Sequence, residues 1–415
     1  MPHCLRGKGL FLRSIELTNF RSFRRAEIEL GDGPTVIVGD NGQGKTNLLE
    51  AIELLATAKS ARAGSDRELI NWRALTEVEV PLPEPFARIR AVVTRGSREL
   101  RAEILVRTAE NGTDSEGSAA SKVFRLNGLP KRALEFVGAI NVVAFAPLDV
   151  ALVDGGPSGR RRHLDVMNSQ ASSHYLRELQ RYQKVLLQRN HLLREARGRG
   201  VDESTLGAWT DQLITVGSFL MLERARALAE LGPLTWSWFR ELRGAGQSIV
   251  LQYRPGLGVE GDRLRNLPDA EDQAQAEVKS AFGQALEQVR RREAAAGMSL
   301  MGPHRDDFRF LLDGVDLAIY GSRGQQRLAA LALKLAEADL LERRAGSRPI
   351  VLMDDVLSEL DPSRQKAVLE YVGRGGQTIL TLTSLDAVNL ENWPMSVVRV
   401  SEGKLYPMEG SERSL

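Results

Sequence analysis

Residues 39–47 read Gly39-Asp40-Asn41-Gly42-Gln43-Gly44-Lys45-Thr46-Asn47: a glycine, four residues, then Gly-Lys-Thr. Glycine at three of these positions lets the backbone aim successive N–H groups into one concavity, which suits an anion. A lysine placed there reaches the β- and γ-phosphates of a nucleotide, and the Thr46 hydroxyl is a ligand for Mg²⁺. The chemistry implied is capture of a nucleoside triphosphate together with its metal.

A carboxylate pair lies far downstream, in PIVLMDDVLSELD (349–361), where four apolar residues run into Asp354 and Asp355. Asp354, at the end of such a strand, is expected to hold the hydrated Mg²⁺, and Asp355 stands where a general base or water-orienting group is needed. In YGSRGQQRLAALALKLAEADLL (320–341), Ser322, Arg323, Gly324 and Gln325 open a helix whose apolar face is Leu328, Leu331, Leu335 and Ala338. A helix N-terminus with serine at its start is a second anion-binding device. It resembles the signature motif of ABC-type ATPases. That resemblance implies docking on the γ-phosphate held by a second copy, with two ATP molecules sandwiched in a homodimer. Ser358 and Asp361 resemble the D-loop of the same class, near the dimer seam. The run Gln377–Thr383 resembles its switch strand, with Thr383, or alternatively Ser384, where that class usually carries histidine. The second acid is aspartate where the class usually has glutamate, which implies slow hydrolysis.

Arg160, Arg161 and Arg162 form the densest basic run, followed by Arg290, Arg291 and Arg292. These are candidates for DNA phosphate contacts that read no sequence. The alternatives are solvated helix faces or, for residues 160–162, ion pairs within the protein. His304, Asp306 and Asp307 have no second histidine or cysteine at ligand spacing, so a structural or inter-lobe role is expected. Trp236, Trp238 and Phe239 are expected to pack in a core or arm.

The elements that must position these groups are written in the hydrophobic pattern. Phe11, Ile15 and Leu17, then Ile28 and Leu30, alternate with charges and predict an antiparallel hairpin. Thr35–Val38 is a continuous β-branched run of the kind buried mid-sheet, and Leu48, Ile52 and Leu55 follow as a helical face. The glycine-rich turn therefore joins a strand to a helix, as a phosphate-binding loop requires. A second hairpin is predicted over 86–106, and residues 109–121 read as a mobile acidic loop. Over 172–297 the period becomes helical, as in Leu206, Trp209, Leu213, Val216 and Leu220, interrupted by a β-like stretch at 248–256. Strand-like runs return at 308–312, 350–353 and 378–382, around a helix at 325–342. The expected fold is α/β: an ABC-type P-loop ATPase head with a mixed β-sheet and helices. Its N-terminal part is 1–170 (phosphate loop and β-rich subdomain), a mainly helical arm is 171–297, and the C-terminal part is 298–415.

Composition bounds the rest. With 415 residues and 42% hydrophobic content the chain buries a sizeable core. Lys+Arg 56 against Asp+Glu 54 leaves a net charge of +2, so any polyanion surface is a local patch. Cys4 is the single cysteine, which excludes an intrachain disulfide and fits a reducing compartment. No apolar run is long enough to span a bilayer and no signal-peptide pattern opens the chain, so a cytoplasmic protein with no membrane partner is expected.

Ser322 stands 277 residues after Lys45. Transporter subunits carry their signature much closer to the phosphate loop, and SMC proteins insert a far longer coiled coil between the two. Over almost its whole length the sequence resembles the RecF family. The matching stretches are LTNFRSF (17–23), VGDNGQGKTNLLEAIELLATAKSAR (38–62), FAPLDVALVDGGPSGRRRHLD (145–165), MGPHRDDF (301–308), GSRGQQR (321–327) and MDDVLSELD (353–361). The resemblance implies an ATP-dependent homodimer, with ATP and Mg²⁺ as cofactors, that binds gapped DNA and single-strand/double-strand junctions. It also implies that the protein works with RecO and RecR to load RecA. The competing readings are the nucleotide-binding energy subunit of an ABC transporter and a weakly hydrolysing ATP-gated DNA scaffold.

Overall fold

A computed structural model describes residues 9–76, 85–108, 120–195, 203–244, 246–257, 271–388 and 393–408. The polar lead-in before residue 9 and nearly all of the loop expected at 109–121 lie outside the described residues. The chain divides into two compact units, Met1–Leu148 with Glu337–Leu415, and Asp149–Ala336. Segments 149–170 and 298–336, assigned from sequence to the ATPase head, cluster with the helical unit instead.

The first unit holds two six-stranded sheets. One is antiparallel, in the order β2-β1-β4-β5-β6-β7, from β1 (Leu10–Phe20), β2 (Phe23–Glu29), β4 (Phe86–Arg95), β5 (Arg98–Thr108), β6 (Ala120–Leu126) and β7 (Leu129–Lys131). Both predicted hairpins belong to it, and their alternation is observed: β2 reads buried-exposed-exposed-buried-exposed-buried-exposed. The other sheet has the order β15-β14-β3-β13-β12-β8, from β3 (Thr35–Val38), β8 (Val142–Phe145), β12 (Ile350–Asp354), β13 (Thr378–Leu382), β14 (Ser396–Ser401) and β15 (Lys404–Met408). All its pairings are parallel except that of β15 with β14. Strands β3, β12 and β13 are buried along their whole length, which is why they read as unbroken apolar or β-branched runs.

Helix α1 (Lys45–Thr57) shares one core with both sheets, through Ile52 and Leu55, Leu12 and Leu17, and Leu352 and Ile379. A buried amide also joins the sheets. Gln377 donates to the carbonyls of Leu12 (2.8 Å) and Gly31 (2.9 Å) and accepts from the Leu12 N–H (2.7 Å). A polar side chain at a core position is thereby satisfied by backbone groups that would otherwise lack partners.

In the second unit α2 (Pro157–Ala171), α3 (Ser173–Glu195), α4 (Glu203–Arg243) and α5 (Glu271–Ala296) accompany a three-stranded antiparallel sheet, β11-β10-β9. Its strands are β9 (Ile249–Arg254), β10 (Asp307–Leu312) and β11 (Val315–Asp316). Leu213, Val216 and Leu220 of the predicted helical seam are fully buried. Trp238 and Phe239 are buried as expected, but Trp236 is 40% exposed, with the Arg240 guanidinium 4.8 Å from its ring. Helix α6 (Arg323–Ala345) begins in this unit and runs past Ala336; α7 (Pro362–Gly373) lies in the first.

The His304–Asp307 stretch is built into a buried polar cluster. Asp306 accepts from Arg224 (2.8 Å), the Tyr253 hydroxyl (2.6 Å) and the Gly256 N–H (2.7 Å). Arg224 also grips Asp165. His304 Nδ1 lies 2.7 Å from the Tyr182 hydroxyl and Nε2 lies 3.1 Å from the Ser299 carbonyl. Burial pulls the His304 imidazolium down to about 4, which favours a neutral ring that accepts from Tyr182 and donates to Ser299.

Candidate nucleotide site

Strands β3, β13 and β12 are neighbours and run parallel, so the groups at their C-terminal ends gather on one edge of the sheet, where α/β folds place ligands. Residues 39–44 leave β3 there, Thr383 follows β13, and Asp354 closes β12 with Asp355 just beyond it. Two glycines in the loop are required by geometry. A Cβ on Gly39 would lie 2.4 Å from the Val400 carbonyl of β14, and Gly44 sits at φ 111°, where side chains are strained. Gln43 accepts the Glu402 N–H (2.7 Å), and Asn47 donates to the Ser22 hydroxyl (2.9 Å), so flanking turns brace both ends of the loop. Asp40, Asn41 and Gly42 form its exposed rim.

Lys45 is 7% exposed, and its ammonium donates to the carbonyls of Gly39 (2.5 Å) and Asp40 (3.0 Å). The Thr46 hydroxyl lies 3.0 and 2.9 Å from the two Asp354 oxygens, although 308 residues separate them in sequence. A hydroxyl beside a carboxylate is a hard oxygen set that fits Mg²⁺ bound through waters and phosphate oxygens. Among the described residues no group of three or more His, Cys, Asp or Glu could hold a metal alone. A divalent ion here would thus rely on the nucleotide for part of its shell.

Asp355 takes a left-handed conformation (φ 54°), rare for residues other than glycine, asparagine and aspartate. Its N–H donates to Thr381 Oγ1 (2.9 Å), and the Ser358 hydroxyl donates to its carboxylate. Thr381 thus holds the backbone of this acid and Ser358 its carboxylate. Asp361 is the N-cap of α7, accepting from Ser363 Oγ (2.6 Å) and the Arg364 N–H (3.1 Å). The Ser363 hydroxyl and then that backbone N–H hold its carboxyl below the usual range.

The signature segment belongs to the second unit. Because α6 starts at Arg323, Ser322 is its N-cap. The Ser322 hydroxyl accepts the Gln325 N–H (3.3 Å) and the Gln325 side chain accepts the Ser322 N–H (2.9 Å), a reciprocal capping box. Arg323 pairs with Asp154, Gly324 is exposed, and Ile319 and Tyr320 just before it are 66% and 75% exposed.

Several residues around the acids went unrecognised in the sequence. Arg62 donates to Asp354 Oδ2 (2.9 Å) and Thr381 donates to Oδ1 (2.9 Å). Behind Arg62 stand Ser60, Glu50 and Arg21. No spacing rule marks a lone arginine 17 positions after Lys45.

The basic clusters separate on inspection. Arg160 is corrected: it is 6% exposed, grips Asp307 through two nitrogens (2.6 and 3.0 Å) and donates to the Gly155 carbonyl (2.7 Å), so it is not a surface cation. Arg161 is half-buried and donates to the Asp306 carbonyl (2.7 Å), and desolvation lowers its pKa. Arg162 and, on α5, Arg290, Arg291 and Arg292 are exposed.

A phosphate loop and an acid-tipped strand on parallel strands flanking β13, with a serine-capped helix elsewhere in the chain, define an ABC-type P-loop ATPase head with a helical insertion. The sequence profile of the family described as RecF/RecN/SMC N terminal domain matches residues 11–404. The DNA replication and repair protein RecF of Chloroflexus aggregans is 41% identical over 404 residues, covering 96% of this chain and 100% of the relative. That of Roseiflexus castenholzii is 38% identical over 411 residues, again covering 96% and 100%. Among solved structures, the recombination mediator protein RecF with ATP, of the RecFOR pathway, is 29% identical with a TM-score of 0.82, covering 98% of this chain and 100% of that one. The Smc head domain of Pyrococcus furiosus, bound to part of ScpA, shares the fold at 16% identity and a TM-score of 0.51, with 96% of each chain covered. The chain belongs to the RecF/RecN/SMC family, and within it to the RecF DNA replication and repair proteins. No described helix is long and apolar enough to cross a membrane.

Proposed function

We propose that this chain is an ATP-dependent DNA-binding protein of recombinational repair and replication restart, in which nucleotide binding drives formation of a homodimer on gapped DNA. The observation that carries the reading is the meeting of Thr46 and Asp354 at 2.9–3.0 Å beside the phosphate loop, on a chain whose relatives over its full length are RecF proteins. Lys45 neutralises phosphate charge, and loop N–H groups from Gly39 to Thr46 orient the triphosphate. Thr46 and Asp354 would hold Mg²⁺, which neutralises charge on the phosphate oxygens when bound. Asp355 orients the attacking water, assisted by Thr383 from the adjacent strand. Ser322 and the first N–H groups of α6 contact the γ-phosphate held by the partner, with Ser358 and Asp361 near the seam. Turnover is slow and DNA-stimulated, and it resets the clamp.

DNA binding at single-strand/double-strand junctions then depends on Arg162 and Arg290–Arg292, doubled by dimerisation. RecO and RecR are the expected partners in loading RecA, in the cytoplasm. The test is sedimentation of the protein alone, with ATP, and with ATP and gapped duplex. The reading predicts monomer, dimer, and a dimer on DNA. A protein that binds gapped DNA equally well without nucleotide, and never dimerises with it, rules the switch out.

A further inference from the structure

Helix α1 presents Thr46 and Glu50 four residues apart, hence on the same helix face. Thr46 faces Asp354. Glu50, 3% exposed, accepts two bonds from Arg21 (2.9 and 2.8 Å) and one from the Ser60 hydroxyl (2.5 Å). Ser60 Oγ in turn accepts the N–H groups of Arg62 and Ala63, both at 2.9 Å. Arg62 then reaches Asp354 Oδ2 at 2.9 Å. Arg21, which balances the buried Glu50 charge, is itself held in a left-handed conformation (φ 50°). Its N–H donates to the Leu69 carbonyl and its own carbonyl accepts from Asn71.

Through Arg62 this chain of contacts reaches Asp354. A carboxylate turns readily about its terminal torsion, and only partners on both oxygens hold it. Thr381 fixes Oδ1 of Asp354 from the neighbouring strand. Oδ2 meets both the Thr46 hydroxyl, itself an expected metal ligand, and Arg62, whose position depends on the turn that Ser60 closes. Building on the nucleotide-site reading above, we propose that Ser60 and Glu50 are positioning residues. They act through Arg62 to set the orientation in which Asp354 meets a nucleotide-bound metal. Orientation matters because Mg²⁺ demands near-ideal octahedral geometry at short distances.

The test is a double-mutant cycle between Ser60→Ala and Arg62→Gln, read first by binding. A fluorescent ATP analogue is titrated with EDTA and with Mg²⁺, and the gain in affinity on adding Mg²⁺ is compared across variants. The wild type shows a metal-dependent gain. Each single variant reduces that gain about tenfold, the loss of one charge-assisted hydrogen bond, and leaves metal-free binding unchanged. The double variant is no worse than Arg62→Gln alone, because Ser60 acts only through Arg62. The kcat for hydrolysis follows the same pattern. Glu50→Gln, which still accepts from Ser60, falls between wild type and Ser60→Ala.

Three results overturn the proposal. Ser60→Ala weakens metal-free binding as much as metal-supported binding, which marks a merely structural residue. Its effect is equally large in the Arg62→Gln background. Or Arg62→Gln leaves the metal-dependent gain intact. Failure of the underlying reading looks different: a wild type that binds no nucleotide under any condition removes the ATPase assignment and this inference with it.

Discussion

The proposed function gives Ser322 a second role beside its cap, and substitution can separate the two. In the capping box its hydroxyl oxygen accepts the Gln325 N–H, which uses a lone pair and leaves the hydroxyl proton free to be donated. Ser322→Ala removes both functions; Ser322→Asp keeps the cap, since aspartate is among the best N-cap residues, but replaces the donor with a negative charge. Loss of the cap costs about 1 kcal/mol of monomer stability. Loss of a hydrogen bond to a charged phosphate costs about 1.5–3 kcal/mol. A twofold dimer repeats that contact, so the dimerisation constant should fall about 10²–10⁴-fold in Ser322→Ala. In Ser322→Asp the fall should be larger, with no loss of monomer stability. Urea denaturation of the nucleotide-free protein reads the cap, fluorescent-nucleotide titration reads the site in the same chain, and sedimentation with ATP reads the dimer. If Ser322→Asp dimerises with ATP like wild type, Ser322 does not meet a phosphate. If the Ser322→Ala dimer weakens only in step with lost monomer stability, and Ser322→Asp loses neither, capping alone accounts for the motif.

Lys45→Ala should abolish ATP binding yet lower stability by about 1 kcal/mol at most, because the Gly39 and Asp40 carbonyls it leaves are within reach of water; calorimetry and urea melts of one preparation decide both. Asp355→Asn should cut kcat by roughly 10²–10⁴ and accumulate an ATP-bound dimer, without strain, since asparagine tolerates the left-handed backbone seen here. Arg160→Ala should destabilise the fold by about 3–5 kcal/mol by orphaning Asp307. Alanine at Arg290, Arg291 and Arg292 should instead leave melts unchanged and lower the salt slope of DNA binding by about one unit per lost phosphate contact. His304 is depressed from an ordinary 6.5 to about 4, so its contribution is complete above pH 6.5 and is lost as pH falls toward 4. Stability should drop by about 2 kcal/mol between pH 7 and pH 5 in wild type, and by that much less in His304→Gln.

The parts of the site that could be read in advance are those where one short segment carries its own geometry. The phosphate loop needs only a strand, three glycines and a helix start, all within residues 35–57, and it lies where the pattern put it. Strands β3, β12 and β13 declared themselves because burial on both faces leaves no polar position to interrupt the run. Arg62 and Thr381 could not be found this way, since each matters only through Asp354, and a single arginine or strand threonine has many uses. Arg160 misled for the opposite reason. Three consecutive arginines on a helix point in three directions about 100° apart, so one of them was bound to face inward. The unit boundaries at 148 and 336 also escaped the pattern, because α6 crosses the second without any break in its helical period.

The order of strands in the central sheet has a consequence for how a ribosome delivers this protein. Strand β3 leaves early, yet both its neighbours, β13 and β14, come from residues 378–401. At 5–20 residues per second the phosphate-loop strand waits roughly 20–70 s with both edges bare. Four consecutive buried β-branched residues are then exposed as an open template for foreign strands. Any chain cut short before Leu382 lacks the strand that pairs with β3 on that side, so the phosphate loop has no completed sheet beneath it until β13 has been made.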